Sequence, residues 1–263
     1  MQAIRFILSP ASEVRTVYDV GSMSGPNGEP RLLAPQWHTA GLIAILIATA
    51  AAGALLQKNA GPGPGIVAEH RGVIGIYVTA ILMDGALFYY VWVFCHKNGT
   101  SLRELVGGRW RRPRDLLVDV AIAVPFWVIW DWTAQLAHRM LGPSSAKSVA
   151  VLLPRSPVEI GVWILVCLTA GFCEEIIFRG YLQKQLRFLT GSAALAVAGQ
   201  AVCFGIAHGY QGWKNVVVIT VLGALYGLLF LWRRSTRPGI LAHAWSDVYG
   251  GLQLRFLPSP PGL

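Results

Sequence analysis

Three short stretches of this 263-residue chain combine residue types that do chemistry. The first is GFCEEIIFRG, residues 171–180. On a helix, residues four apart share a face. Glu175 and Arg179 therefore stack and neutralise each other, while Glu174 shares its face with Phe178 and finds no partner in its own helix. The second stretch is FGIAH, which runs from Phe204 to His208. The third is HAWSD, in which His243 and Asp247 lie on one face and the carboxylate can orient the imidazole. A Glu can take a proton from water as general base, and a His beside it can hold the same water. A second His, oriented by an Asp, can donate to the oxyanion of a tetrahedral intermediate. The same residue types also suit a metal: Glu174, His208 and His243 could ligate Zn²⁺ and leave a fourth position open. No H-E-x-x-H motif accompanies them, so the metal reading has no local signature.

The spacing lets these stretches meet. Thr190, Gly191 and Ser192 make a plausible turn. Glu174 lies 17 residues before Gly191 and His208 lies 17 after it. An antiparallel helical hairpin turning there puts both at one depth, roughly 25 Å from the turn. His243 follows the basic turn at 233–238 by a few residues, which also carries it into an apolar segment.

The elements that must position these groups are membrane helices. Charged residues make up 13% of the chain and hydrophobic residues 54%, against about a quarter charged in soluble domains. Residues 32–57 and 188–213 contain no Asp, Glu, Lys or Arg, and residues 72–95 contain one, Asp84. About 20 apolar residues span a hydrocarbon core of roughly 30 Å. Seven spans are expected, at about 39–56, 72–95, 116–136, 157–181, 192–208, 216–232 and 238–252. The fold class is therefore all-α, a polytopic transmembrane helical bundle, with no internal repeat. The pattern divides the chain into an N-terminal cytoplasmic segment (1–38), N-terminal membrane helices (39–153), a catalytic membrane core (154–257) and a tail (258–263). Residues 1–38 show no apolar core of a cleavable leader, and 21–35 is expected to be irregular. The GPGPG run at 61–65 breaks the chain between the first two spans.

The net charge of +9 does not call for nucleic acid, because the basic residues sit between apolar runs. Lys and Arg in such gaps set orientation. With the N-terminus inside, 15 of the 22 fall on the cytoplasmic side and 7 outside. Trp37, Trp92, Trp132, Trp213 and Trp232 lie near span ends, as an interfacial aromatic belt requires. The four cysteines (Cys95, Cys167, Cys173 and Cys203) have no paired spacing and are expected as small core residues. Asp84 is placed deep, and Asp119 and Asp131 near interfaces; helix–helix hydrogen bonding or the wall of a wet cavity is their expected role.

At these motifs the sequence resembles the CPBP family, the CAAX-protease and bacteriocin-processing membrane endopeptidases, also called Abi. Its pattern E-E-x-x-x-R, then F-x-x-x-H, then H-x-x-x-N or D is matched by Glu174, Glu175 and Arg179, by Phe204 and His208, and by His243 and Asp247. The likeness covers about residues 154–251, with AGFCEEIIFRGYLQ similar well beyond the defining positions. It implies a membrane-embedded hydrolase that cleaves a peptide bond, with Glu174 and His208 activating water. It also implies that His243 and Asp247 stabilise the oxyanion and that Glu175, Arg179 and Phe204 support the site. Members are labelled metalloproteases, while the type II prenyl-protein peptidases are described as using a glutamate mechanism. The resemblance thus leaves open no cofactor or Zn²⁺. Asp247 stands where the prenyl-protein members usually have Asn, and an anionic residue suits orienting His243 better than direct donation. The implied partners are a peptide or protein substrate, membrane-anchored or not, and the lipid bilayer. Two other functions fit a polytopic chain. A non-enzymatic membrane scaffold or immunity-type protein could keep the family fold. A proton-relay transporter would be expected to show inverted repeats, and none is seen.

Overall fold

The computed structural model describes residues 32–59, 72–142 and 152–256, and among them every regular element is a helix. The expected features at 1–31, 61–65 and 258–263 lie outside the described residues. In chain order the helices are α1 (Gln36–Asn59), α2 (Val73–Lys97), the short α3 (Leu102–Val106) and α4 (Pro113–Leu141). Then α5 (Pro157–Glu174) runs on through a π-helical segment (Glu175–Gln183) into α6 (Lys184–Thr190). It is followed by α7 (Ala193–Ala207), a 3₁₀ turn (Gly209–Gln211), α8 (Trp213–Arg233) and α9 (Arg237–Phe256).

Local chemistry explains the helix ends. Pro157 opens α5 behind Ser156, whose hydroxyl accepts from the Glu159 amide at 3.2 Å while the Glu159 carboxylate accepts from the Ser156 amide at 3.1 Å. This reciprocal pair satisfies amides that the helix itself leaves unbonded. Ser101 and Glu104 do the same for α3. Gly191 closes α6 at φ +67°, a left-handed position that favours glycine, and Ser192 caps α7. The hairpin expected at Thr190-Gly191-Ser192 is therefore formed.

Five helices are long and apolar enough to cross a membrane: Gln36–Leu55, Val73–Lys97, Pro113–Leu141, Pro157–Thr190 and Trp213–Arg233. The chain is an integral membrane protein built as a helical bundle. The two remaining expected spans are also helices, but α7 has only 15 residues and α9 carries polar side chains along its length. The helix of the fourth span continues past 181 to Thr190, as a hairpin turning at 190–192 requires, in one rod of 34 residues. Such a rod is about 50 Å long, more than the hydrocarbon core, and tilt or projection accommodates the excess. Its end is packed rather than solvated. Gln185 is fully buried and takes both backbone partners at the chain's entry to α1: it accepts from the Leu33 amide at 3.0 Å and donates to the Ala34 carbonyl at 2.6 Å.

Apolar residues face outward over much of the surface, as in a molecule solvated by lipid; Leu82, Leu117 and Met140 are all exposed. Trp37, Trp132, Trp213 and Trp232 are exposed too, while Trp92 is half-buried and stacks on His96. The core is centred on the π segment, where Ile176, Ile177, Tyr181 and Leu182 pack with Leu42, Val91, Cys95 and Leu105. Small residues let the helices approach closely. A Cβ on Gly205 of α7 would lie 2.0 Å from Thr220 Oγ1 of α8, and one on Gly171 of α5 would lie 2.8 Å from the Ala244 amide nitrogen of α9. All four cysteines are free, with Cys95, Cys167 and Cys173 buried and Cys203 half-buried.

Asp119 has the bonding role between helices expected of it. It is fully buried and accepts from Trp110 Nε1 at 2.9 Å. It also pairs with Arg237 Nε at 3.1 Å and faces Arg233 Nη2 at 3.6 Å. Beside it the α8–α9 turn is bonded to the end of α3, for the Thr236 amide and the Ser235 and Thr236 hydroxyls all donate to the Val106 carbonyl. Together these contacts fix where α9 begins. Asp131 makes a simpler local bond, accepting from Gln135 at 2.7 Å. Removing one partner of a buried pair strands the other charge. Asp119→Ala is therefore expected to destabilise the protein by about 3 kcal/mol, read as a lowered thermal midpoint in detergent. Asp131→Ala should stay within about 0.5 kcal/mol of wild type.

Candidate active site

The π segment organises the site. Its i→i+5 bonding widens the helix, and each of its nine residues is buried. Glu175 and Arg179 form an ion pair at 2.8 Å with side chains 1% and 0% exposed. The Arg179 guanidinium lies over the rings of Phe204 (4.4 Å) and Tyr226 (5.0 Å), and its Nη2 donates to the Gly223 carbonyl at 3.3 Å. Stacking on aromatic faces and bonding a carbonyl keep a cation tolerable where water does not reach it.

Glu175 has a second partner that helical spacing does not reveal. His243 Nδ1 donates to Glu175 Oε1 at 3.1 Å. The α9 backbone comes close here because Gly239 has no side chain; a Cβ there would lie 2.8 Å from Glu175 Oε2. The sequence points to Asp247 as the group orienting His243. In the structure, Glu175 holds Nδ1, and Asp247 Oδ2 stands 3.6 Å from Nε2 at the far end of the ring. Glu174 Oε2 is on that same side, 3.7 Å from Nε2. Both gaps exceed hydrogen-bond length. Glu174 Oε2 is buried and has no hydrogen-bond partner among the described residues.

His208 follows the last residue of α7, and its Nδ1 donates to the Phe204 carbonyl at 2.8 Å. Its ring meets Phe204 edge-on at 4.9 Å, and Phe204 also meets the His243 ring edge-on at 5.9 Å. Phe204 thus touches both imidazoles. Among the described residues, no hydrogen bond or ion pair joins His208 to Glu174. The structure brings Glu174, Glu175, Arg179, His243 and Asp247 into one contiguous group, and His208 shares the Phe204 ring with His243.

Two site residues were missed or undervalued in the sequence. Asp84, from α2, interacts electrostatically with Glu174, His243 and Asp247. Its signal was present, as the one charge in an otherwise apolar run. Tyr226 of α8 packs against His243 at 5.3 Å. Its sequence context, a Tyr inside an apolar helix, does not distinguish it from other core aromatics.

The metal reading fits this geometry poorly. Among the described residues no three His, Cys, Asp or Glu side chains are grouped as metal ligands.

Residues 156–249 match the family model described as Type II CAAX prenyl endopeptidase Rce1-like. The matched stretch contains every motif residue named above and agrees with the CPBP resemblance; α1 to α4 lie outside it. No curated protein and no solved structure matches the chain.

Glu175 is bonded on both sides, so its charge can be tested separately from its size. Glu175→Gln keeps an acceptor oxygen for His243 but leaves Arg179 unpaired at zero exposure. A loss of about 3–5 kcal/mol is expected, measured by denaturant unfolding in micelles. Glu174→Gln, with no ion-pair partner of its own in the helix, should cost less than about 1 kcal/mol in the same assay.

Proposed function

We propose that this chain is an intramembrane endopeptidase of the CAAX-protease type, hydrolysing a peptide bond with water activated by Glu174 and His208. One observation carries the reading. His243, pinned through Nδ1 to the Glu175–Arg179 pair, turns Nε2 towards two carboxylates, Glu174 at 3.7 Å and Asp247 at 3.6 Å. A buried carboxylate with an unused oxygen beside an immobilised imidazole is an arrangement suited to moving protons.

In the proposed mechanism, one water hydrogen bonds Glu174 and the other bonds His208 Nε2. His208 Nδ1 already donates to Phe204, so Nε2 of the neutral ring carries the lone pair. Glu174 takes a proton as the water oxygen attacks the scissile carbonyl. The new C–O bond pushes the carbonyl electron pair onto oxygen. Protonated His243, held by Glu175 and faced by Asp247, stabilises that oxyanion. When the tetrahedral intermediate collapses, Glu174 returns its proton to the departing amine nitrogen and the peptide bond breaks. The substrate is a peptide or protein presented at or within the bilayer, and the likeness to prenyl-protein peptidases makes a membrane-anchored substrate the first to try.

The charge bias favours a topology with the N-terminus, the α2–α4 connection and the α8–α9 turn on the cytoplasmic side. A cysteine introduced at Arg111 should be labelled by impermeant reagent from that side, and one at Lys214 from the other; the reverse pattern would invert the topology. For activity, Glu174→Gln should lower cleavage of a fluorogenic peptide library by about 10²–10⁴-fold with the protein still folded. A metal chelator should leave the wild-type rate unchanged. Wild type that is folded yet cleaves nothing across prenylated and unprenylated peptides would favour a non-enzymatic scaffold.

A further inference from the structure

Hydrogen-bond donors are scarce around Glu174, although peptide hydrolysis needs one for the carbonyl oxygen. A neutral imidazole has one N–H. In His243 it is committed to Glu175, and in His208 to the Phe204 carbonyl. Nε2 of the neutral His208 ring is then an acceptor, and Nε2 of His243 is a donor only while that ring is protonated, which leaves the site one charged donor and no neutral one among these groups. The carboxylates of Asp84, Glu174 and Asp247 accept as well. Arg179 is walled off at zero exposure, with Nη1 on Glu175 and Nη2 on Gly223. Arg179 Nε and the Tyr226 hydroxyl have no hydrogen-bond partner among the described residues, but both are sealed inside the bundle, in residues 0% and 2% exposed.

Tyr210 is placed differently. It sits in the 3₁₀ turn directly after His208 and is not fully buried. Its ring runs alongside the His208 ring, with centroids 6.2 Å apart and planes at 28°. α1 backs this turn closely: a Cβ on Gly53 would lie 3.0 Å from Tyr210 Cβ, and one on Gly209 would lie 3.4 Å from Ala50 Cβ. The phenol oxygen accepts from Gln211 Nε2 at 2.9 Å, and its own proton has no acceptor among the described residues. The ring contact with His208 sets the phenol on the side of the turn next to the proposed water-activating pair, within electrostatic reach of Glu174, Asp247 and Asp84. The bond from Gln211 polarises the O–H and makes it a better donor.

We propose that the Tyr210 phenol is the neutral hydrogen-bond donor of this site and binds the oxygen of the scissile carbonyl as it becomes an oxyanion. The assignment rests on the endopeptidase reading. It gives the two sides of the reacting carbonyl to different elements: water activation to α5 and α7, and oxyanion binding to the turn after His208 together with His243 of α9. Tyr210 donates a hydrogen bond throughout and keeps its proton, so no charge is added to an already acidic site.

The test uses the full chain in detergent or nanodiscs with a peptide that wild type cleaves. Tyr210→Phe keeps the ring and removes the donor. Its kcat should fall about 10²–10³-fold, the loss seen when one oxyanion donor is deleted, while KM stays within about twofold because the bond strengthens only in the transition state. A phosphinate isostere of the same peptide should bind the variant more weakly than wild type by at least about tenfold. An unchanged thermal midpoint would show that the loss is chemical. Tyr210→Phe with wild-type kcat and wild-type phosphinate affinity would overturn the role of the phenol and leave the endopeptidase standing. Folded wild type that cleaves no peptide would overturn both.

Discussion

Arg179 places a full positive charge in the centre of an apolar bundle, with no exposure and no water at hand. Moving such a charge out of water costs several kcal/mol unless it is paired and bonded. Much of the local architecture can be read as the means of meeting that demand. Glu175 neutralises the charge four residues away, Phe204 and Tyr226 present ring faces to it, and Gly223 of α8 offers a carbonyl. These groups come from the π segment, α7 and α8, so the cation draws three elements together. His243 is then bonded to the neutralising carboxylate and brings in α9. The imidazole is thus oriented by the same interaction that makes the buried charge tolerable.

This coupling divides the two adjacent glutamates. Glu175 is buried in bonds on both sides, whereas Glu174 leaves one oxygen unbonded and faces Nε2 across a gap. Neighbours in sequence point to different sides of a helix, so one carboxylate serves the scaffold and the other is left for chemistry. Close packing of Gly171 against α9 and of Gly205 against α8 keeps these distances short.

Much of this was legible in the sequence. The helices are announced by uncharged runs, capping pairs and the glycine at 191, since these features act over a few residues and need no knowledge of the fold. The pairing of Glu175 with Arg179, and the isolation of Glu174, follow from helical spacing alone. Contacts between elements were harder to read. The bond from His243 to Glu175 spans 68 positions, and the approach of Asp84 requires α2 to pack on α5. The partners of Asp119 were hidden for the same reason: they lie on the α3–α4 connection, α8 and α9, and no local pattern links them. The rod beyond residue 181 follows from the hairpin turn, but the bonds that Lys184 and Gln185 make to carbonyls of other segments were not readable. Composition reads such residues as a helix leaving the membrane.

The part of the chain that matches a family model is not the part that folds as a unit. The start of α9 is held by Val106, Asp119 and Trp110, and the end of α6 by the backbone at Leu33 and Ala34, all outside residues 156–249. A chimera that transplanted the matched stretch would arrive with unfilled sockets: a basic turn without its carboxylate and a glutamine without its two backbone partners. New hosts would have to rebuild those sockets with different residues. The first four helices can therefore diverge in sequence only along routes that preserve a few specific attachment points, and those points, more than overall similarity, define which N-terminal halves are interchangeable.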